Sequence, residues 1–537
     1  VTVSGWVPRA PRPGTNLKGD AAGAAWTYLL DRIEAASVLC IGAPGDATLR
    51  TLRRISRRLD VVNAAELQTT DRSRVAASRG RYDLVFVAEP IRRNARGAEL
   101  VRAAARALAP GGTLWAEATE AAALTDPLSS AGLGDQGAYW LTPRHGELRT
   151  AVPLSDEAIG RFFVAEGVTV PSLPPAFAPI EGRWPKAGSR RVGVLAREAD
   201  GRATHLVPGY LRELARASGI DLDRHRLGLS ARGTFNSRKV VAYVFEERSA
   251  QPEMVVKMTR EPSFNERLEN EERILRMVAA ERLVEPGAAP AVRFGGEHAG
   301  LRVLAEDAIQ GIPMRNVAGD DAIIADAYSW VTDLGAASAR RGPEAAAALR
   351  SAAEAVGDGV FATYGLDKSL AARLTEAVDA VTTNADRLPA VLMHGDCGLW
   401  NAWLRPDGRI AFLDWEASAG DAPPLWDLFS LAGSHVVARA LWRGRARRPS
   451  VTVAALTEDA VIREAIRAYC DRLRIAADLV APLFSLACGF RALREASRLR
   501  AQTLERGRHF SLLRASLDPQ VADDLERRFS EPAATAL

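Results

Sequence analysis

Two stretches in the C-terminal half carry oxygen-bearing side chains at spacings that chemistry can use. One is Val391-Leu-Met-His-Gly-Asp-Cys-Gly-Leu-Trp-Asn-Ala-Trp-Leu404, and the other is Arg409-Ile-Ala-Phe-Leu-Asp-Trp-Glu416. Asp396 and Asn401 stand five residues apart, the separation of a proton-accepting carboxylate and a metal-binding amide in loops that transfer phosphoryl groups. Between the stretches, Pro406-Asp-Gly408 is a turn signal between short apolar runs, which predicts a hairpin. Closing that hairpin returns Asp414 to the side of Asn401. A carboxylate and an amide oxygen converging there are hard donors, suited to Mg²⁺ that also keeps waters and phosphate oxygens. Asp396 is left free to receive a hydroxyl proton, the division of labour that phosphoryl transfer requires. A plain turn at His394-Gly-Asp396 with Asp414 as a helix cap would not account for all four positions together. A metal hydrolase on His394, Asp396 and Asp414 lacks a second histidine at ligand spacing.

These residues need elements to position them, and upstream segments supply candidates. Met254-Val-Val-Lys-Met258 sets Lys257, one of only five lysines, inside an apolar strand-like run. An ammonium there is costly without an anion. Nucleotide phosphates are one candidate, and a glutamate of the following helix, Asn265 to Val278, is another. Glu271 is favoured because Leu275 and Val278 follow it on one helical face, with Glu266 and Glu272 as alternatives. The competing reading of Lys257 is a gatekeeper on an edge strand. Before it, Leu229-Ser-Ala-Arg-Gly-Thr-Phe-Asn-Ser-Arg-Lys239 is a turn that opens into a β-branched strand. Its backbone N–H groups could cover phosphates, with Ser230, Thr234 and Asn236 adding polar contacts around Gly233. Leu301 to Gly311 reads as a strand running into a connector.

The stretch from about His205 to the C-terminus resembles the aminoglycoside phosphotransferase/choline kinase family, the small-molecule branch of the protein-kinase-like fold. The resemblance rests on His-Gly-Asp-x-x-x-x-Asn at His394 to Asn401 and on Asp-Trp-Glu at Asp414 to Glu416. It implies Asp396 as catalytic base, Asn401 and Asp414 as metal ligands, and Lys257 on the α/β phosphates with Glu271 as its partner. Adenine would lie on backbone groups near Glu306 to Ala308. His394 and Asp427, the latter in Gly420-Asp-Ala-Pro-Pro-Leu-Trp-Asp-Leu428, would brace the catalytic loop. The sequence departs from the family at Ala231-Arg232, where glycine is common. Acceptors in the family range over aminoglycosides, choline, homoserine, sugars and nucleosides. Here the acceptor pocket would be lined from helices beginning near Asp320 and Asp459 and from the loop after Asp427. The basic run Trp442 to Arg448 reads as a solvated loop, or as a contact for an anionic acceptor.

Nearer the N-terminus, Ala36-Ser-Val-Leu-Cys-Ile-Gly-Ala-Pro-Gly-Asp46 is a strand ending in a glycine turn, followed by a helix from Thr48 to Leu59. Arg81 to Ala88 and Leu108 to Glu117 supply further strands. This set resembles class I S-adenosylmethionine-dependent methyltransferases. It implies Gly42 and Gly45 near the methionine part of that cofactor and Asn63 at the ribose, where an acidic residue is usual; Glu66 follows, and Pro44 departs from the pattern. A dinucleotide oxidoreductase is disfavoured, because Gly42 and Gly45 do not complete GxGxxG.

Length and composition set the frame. A chain of 537 residues with 47% hydrophobic and 25% charged residues is ordinary globular material for two to four domains. Its 70 basic and 66 acidic side chains leave a net +4, which gives no electrostatic case for a nucleic-acid or membrane partner. Four scattered cysteines read as reduced thiols. Val1 to Asp20 lacks an apolar core of the signal-peptide type, so a cytoplasmic location is expected. The expected fold class is α/β plus α+β. Residues 1–200 form a Rossmann-like doubly wound sheet with a proline-rich linker at about 170–190. Residues 201–312 form a small β-rich lobe, and residues 313–537 a large helical lobe with the catalytic loop. The run Arg191 to Arg197 is one more strand, assignable to either neighbour. The expected function is ATP- and Mg-dependent transfer of the γ-phosphoryl group to a hydroxyl of a small molecule. Alternatives are a bifunctional methyltransferase–kinase and a non-catalytic nucleotide-binding scaffold.

Overall fold

A computed structural model describes residues 25–63, 80–118, 122–144, 147–153, 156–165, 192–198, 207–231, 239–442, 449–497 and 501–530. The chain divides into two compact units. One gathers the described residues up to Leu268 together with Val292–Ala308; the other comprises Glu269–Ala291 and the chain from Ile309 onward.

The first unit is organised by one twelve-stranded sheet. Its strands are β1 (Ala35–Ile41), β2 (Ser56–Val62), β3 (Tyr82–Val87), β4 (Leu108–Ala118), β5 (Leu133–Arg144) and β6 (Glu147–Pro153), followed by β7 (Val192–Glu198), β8 (His225–Ser230), β9 (Lys239–Glu246), β10 (Met254–Thr259), β11 (Val292–His298) and β12 (Leu301–Asp307). Across the sheet the order is β11-β12-β10-β9-β8-β6-β5-β7-β4-β3-β1-β2. β2, β1, β3 and β4 are mutually parallel, which requires crossovers. Helices α1 (Asp46–Ile55) and α2 (Ala95–Ala107) supply two of them, and α3 (Ala122–Ser130) follows β4. The pleat sorts each strand between two cores. Val38, Cys40, Leu84, Phe86 and Trp115 pack with Leu52 and Ile55 of α1. Leu39, Ile41, Val85, Val87 and Leu114 pack with Leu100, Val101 and Ala104 of α2 and Leu124 of α3. Both faces of the parallel part are therefore covered, as buried parallel sheets require. β7 runs antiparallel between β4 and β5, which assigns the ambiguous strand after the proline-rich stretch to this sheet.

The remaining strands are antiparallel and belong to the same sheet. Thr150 and Ala151 of β6 pair with Ser230 and Leu229 of β8, which joins the expected β-rich lobe to the N-terminal strands. The core on the α1 face continues past this seam to Leu227, Val240, Met254 and Phe294. Helices α4 (Glu157–Ala165) and α5 (Gly209–Ala217) complete the unit. The division expected at about residue 200 thus runs through the middle of one sheet, a consequence of strand pairing between residues some eighty positions apart. The proline-rich stretch at 170–190 lies outside the described residues.

Helix α6 (Asn265–Ala280) begins in the first unit and continues in the second. The second unit contains helices α7 (Asp321–Ser338), α8 (Pro343–Thr363), α9 (Lys368–Thr383), α10 (Trp426–Trp442), α11 (Pro449–Glu458), α12 (Ala460–Leu473), α13 (Val480–Ala496), α14 (Arg508–Ser516) and α15 (Pro519–Ser530). Short strands β13 (Ile312–Pro313), β14 (Val391–Met393), β15 (Ala402–Leu404), β16 (Ile410–Phe412) and β17 (Ala419–Ala422) lie among them. Asp320 and Asp459 are the N-caps of α7 and α12, each accepting two backbone N–H bonds through its carboxylate. Among the described residues no single helix is long and apolar enough to cross a membrane. α12 with Ala477–Ala496 passes on length and composition as a pair bent by 118°. α13 within that pair packs into the core of this unit through Leu483, Phe484 and Phe490.

Gly228 tests the seam. A Cβ there would lie 2.6 Å from Phe163 Cε2 and 2.9 Å from Ile159 Cγ2. Gly228→Val is expected to destabilise the first unit by about 1–3 kcal/mol through overpacking. Urea unfolding followed by tryptophan fluorescence measures it, and an unchanged midpoint contradicts the packing described.

Candidate active site

The loop from His394 to Asn401 has almost no regular secondary structure, so each buried backbone group needs a specific partner. Asp427, near the start of α10, supplies two. Its carboxylate oxygens accept from His394 N at 2.5 Å and from Gly395 N at 2.9 Å. Gly395 has φ 80°, and a Cβ there would sit 2.1 Å from Ala417 O, so only glycine fits. His394 is fully buried. Its Nε2 lies 3.0 Å from Leu413 O, to which it must donate, while Nδ1 accepts from Asp396 N at 3.3 Å. Both bonds fit the neutral ring. Burial lowers the His394 pKa, although Asp427, Asp396 and Asp414 pull the other way. Both residues expected to brace the loop sit at its base.

The expected hairpin is present. β15 and β16 pair antiparallel through Ala402–Phe412 and Leu404–Ile410, and Gly408 turns the corner at φ 81°. Leu413 N donates to Asn401 O at 2.8 Å, so Asp414 follows directly beside Asn401. Asn401 donates Nδ2 to the Asp396 carbonyl and to Asp396 Oδ2, both at 3.0 Å. Its amide oxygen is thereby turned away from Asp396. Burial pushes the Asp396 pKa up most strongly, but Arg494, Arg491, His394 and the Asn401 bond together outweigh it and hold it below the ordinary carboxylate value. Arg494 also donates to Gly395 O.

Asp414 takes a left-handed backbone, φ 68° and ψ 64°, before a short 3-10 turn. Its carboxylate lies with those of Glu271 and Glu416, with one oxygen of each within 4.8 Å of the others. Glu271 is 0% exposed and accepts from Trp415 N at 2.9 Å through Oε1. Three carboxylates that close repel one another, and all offer the hard oxygens that a divalent cation prefers. The residue set fits Mg²⁺. Sequence reasoning found Asp414 and Asn401 but gave Glu416 no role and gave Glu271 a different one. The signal for Glu416 was present: it follows Asp414 by two positions across a buried tryptophan.

The other expected residues lie in the first unit. Lys257 Nζ and Glu306 Oε1 are 2.6 Å apart, with side chains only 7% and 4% exposed. Strand register explains the pairing: Leu304 of β12 lies opposite Lys257, and Glu306 is the next residue on the same face. Glu306 thus brings a carboxylate where only its backbone was expected to act. Ala308 N donates to Glu253 O at 3.0 Å, so the N–H expected to meet adenine already has a partner. Ser230 is a strand residue, paired with Val241 and Thr150 and 7% exposed, instead of a member of the phosphate-covering turn. Gly233 and Asn236 lie outside the described residues. Sequence reasoning missed Arg260, which is 5% exposed. It donates to Ala231 O at 2.7 Å and to Lys239 O at 3.4 Å, tying together the two chain ends that flank 232–238. Burial lowers its pKa to about 10.

Of the residues named at the N-terminal sheet, Gly42 has φ 104°, and its N–H donates to Val62 O at 2.8 Å, which sets it next to Asn63 at adjoining strand ends. Gly45 is the N-cap of α1. A Cβ on Gly42 would lie 3.1 Å from Glu89 Cγ, so a carboxylate side chain that the sequence did not single out borders that turn.

Comparison with known proteins places these groups in context. No curated protein sequence matches the chain. An aminoglycoside phosphotransferase from Streptomyces rimosus is similar in structure, with 19% identity over 54% of this chain and 98% of its own and a TM-score of 0.33. A choline kinase from Streptococcus pneumoniae shows 13% identity over 56% of this chain and 93% of its own, TM-score 0.34. An ethanolamine kinase from Plasmodium vivax shows 12% identity over 56% and 84%, TM-score 0.36. Residues 241–476, which include Lys257, Asp396, Asn401 and Asp414, match the phosphotransferase enzyme family. That segment is a phosphotransferase-family domain.

Proposed function

We propose that the protein transfers the γ-phosphoryl group of ATP to a hydroxyl of a small-molecule acceptor, with Asp396 as the catalytic base. The observation that carries this reading is the arrangement at the hairpin. Asp396 is fixed by Asn401, while Asp414, Glu271 and Glu416 converge one strand pair away.

Asn401 occupies Asp396 Oδ2, which leaves Oδ1 for the acceptor hydroxyl. The hydroxyl oxygen bonds to the γ-phosphorus as the bond to the β–γ bridging oxygen breaks. ADP departs, and the hydroxyl proton passes to Asp396. The lowered pKa of Asp396 suits a late proton transfer, because a loose transition state makes the hydroxyl acidic only as the new bond forms. Asp427 and His394 hold the base still, which keeps it within reach of the proton it accepts. Asp414, Glu416, Glu271 and the Asn401 amide oxygen are the groups assigned to Mg²⁺, which when bound neutralises phosphate charge. Lys257 is assigned to the nucleotide phosphates. Its partner Glu306 supplies the anion that a buried ammonium requires.

A second reading concerns the N-terminal sheet. The positive φ of Gly42 and its position beside Asn63 place a glycine turn at the carboxyl ends of parallel strands, where doubly wound sheets bind ligands. This supports S-adenosylmethionine as a ligand and, with it, a bifunctional methyltransferase–kinase. A rise in melting temperature on adding that compound tests it.

Two outcomes are expected for the kinase. Asp396→Ala lowers kcat by about 10²–10⁴, the usual contribution of a positioned base, while far-UV circular dichroism and nucleotide affinity stay as in the parent. Turnover within a factor of about two of the parent would remove Asp396 from the mechanism. Asp414→Ala abolishes the gain in ADP affinity that Mg²⁺ gives, read by calorimetry with and without chelator. An undiminished Mg²⁺ effect would reassign the metal site.

A further inference from the structure

A cleft of about 830 Å³ lies in the helical unit, away from the catalytic loop; its lining includes none of Asp396, Asn401, Asp414, Glu271 or Glu416. Its walls come from the segment after α6, the end of α7 and the end of α12, and they carry Arg282, Arg341, Arg472 and Arg474. Arg341 is anchored, donating Nη1 to Arg387 O at 2.5 Å and Nη2 to Leu473 O at 2.6 Å. Arg282, Arg472 and Arg474 have no side-chain hydrogen bond or ion pair among the described residues. The acidic groups of the lining are Asp333 and Glu285, and Glu285 is paired with Arg409 at 2.7 Å.

The simplest explanation of arginines at helix C-termini is compensation of the helix dipole. The magnitudes do not balance. Three helix ends contribute roughly half a negative charge each, and Asp333 one more, against four arginines. More than one positive charge is left over. The end of α12 is moreover already answered by Arg341, whose Nη2 takes the Leu473 carbonyl. Surplus guanidinium charge around a concave space calls for an anion from outside. Guanidinium forks match phosphate oxygens in pairs. The volume exceeds that of a bare ion and falls in the range of small-molecule pockets.

We infer that this cleft binds a phosphorylated small metabolite, held by Arg282, Arg472 and Arg474 with Arg341 fixing the wall. The ligand is distinct from the phosphoryl acceptor, because the cleft contains no group of the catalytic site. The inference does not depend on the proposed reaction.

Calorimetry on the full chain in the presence of excess ADP tests it, with inorganic phosphate, pyrophosphate and glucose 6-phosphate as probes and glucose as the neutral control. Saturable binding of at least one phosphate probe and none of glucose is expected. In Arg472→Ala/Arg474→Ala the dissociation constant rises about tenfold or more, equivalent to the loss of about one charge-assisted contact. In Arg472→Glu/Arg474→Glu binding is lost, while ADP affinity and melting temperature remain those of the parent in both variants. Both side chains are on exposed residues, so the fold does not rest on them. The inference is overturned if no phosphate probe binds by about 10 mM, well past the affinity range of a specific metabolite site. It is equally overturned if glucose binds as well as glucose 6-phosphate, or if the alanine pair binds as tightly as the parent.

Discussion

The geometry of the candidate site hangs on one buried carboxylate. Asp427 accepts from two successive backbone N–H groups, His394 and Gly395, in a segment that no helix or strand could satisfy. Losing it would leave two buried donors unmade, each costing about 1–3 kcal/mol. The price of holding it is visible in Asp427 itself: burial drives its pKa up against the pull of His394, the two backbone bonds and Arg491. From this anchor the rest follows in order. Gly395 turns at positive φ, His394 reaches Leu413 O, and the strand behind Leu413 delivers Asp414 beside Asn401. The loop that carries Asp396, the base proposed above, is therefore held by a second carboxylate, Asp427.

Local and non-local information separate cleanly along this chain. The spacing of Asp396 and Asn401, the Pro406-Asp-Gly408 corner and the helix starts near Asp320 and Asp459 were all legible, because each is decided within a few residues by turn and capping chemistry. The partner of Lys257 was not. It depends on which strand lies beside β10 and in which register, and a register shift by one residue would have turned Glu306 to the opposite face. Glu271 illustrates the same limit differently. Its helical face was read correctly as the buried one, but burial alone does not say whether it meets an ammonium, a backbone N–H or a cation. Ser230 shows a local reading overruled from a distance, since a residue that looks like turn chemistry is captured as a strand position by Thr150.

The fused sheet has a physical rationale of its own. In a β-rich lobe standing alone, β8 would be an edge, and unpaired edge groups invite association with other chains. Here β6 pairs with its end and the hydrophobic core runs on beneath. Phe163 of α4 closes over Gly228, where any larger residue would collide. Proline and composition mark where a chain leaves one element, but they carry no record of which strand receives the next one. That is why a boundary placed near residue 200 cut through a continuous sheet.

Arginine usage ties these parts together. Only five of the 70 basic residues are lysines, and the net charge of +4 shows that the excess is not a device for binding polyanions at large. Several of these arginines staple backbone. Arg226 donates to the carbonyls of Glu246 and Ser249, Arg260 to Ala231 and Lys239, Arg341 to Arg387 and Leu473, and Arg494 to Gly395. A planar fork with five donors can bridge two carbonyls while staying charged under burial, which a lysine ammonium does far less readily. These bridges pin loops and the ends of helices and strands, where the regular ladder of backbone bonds stops.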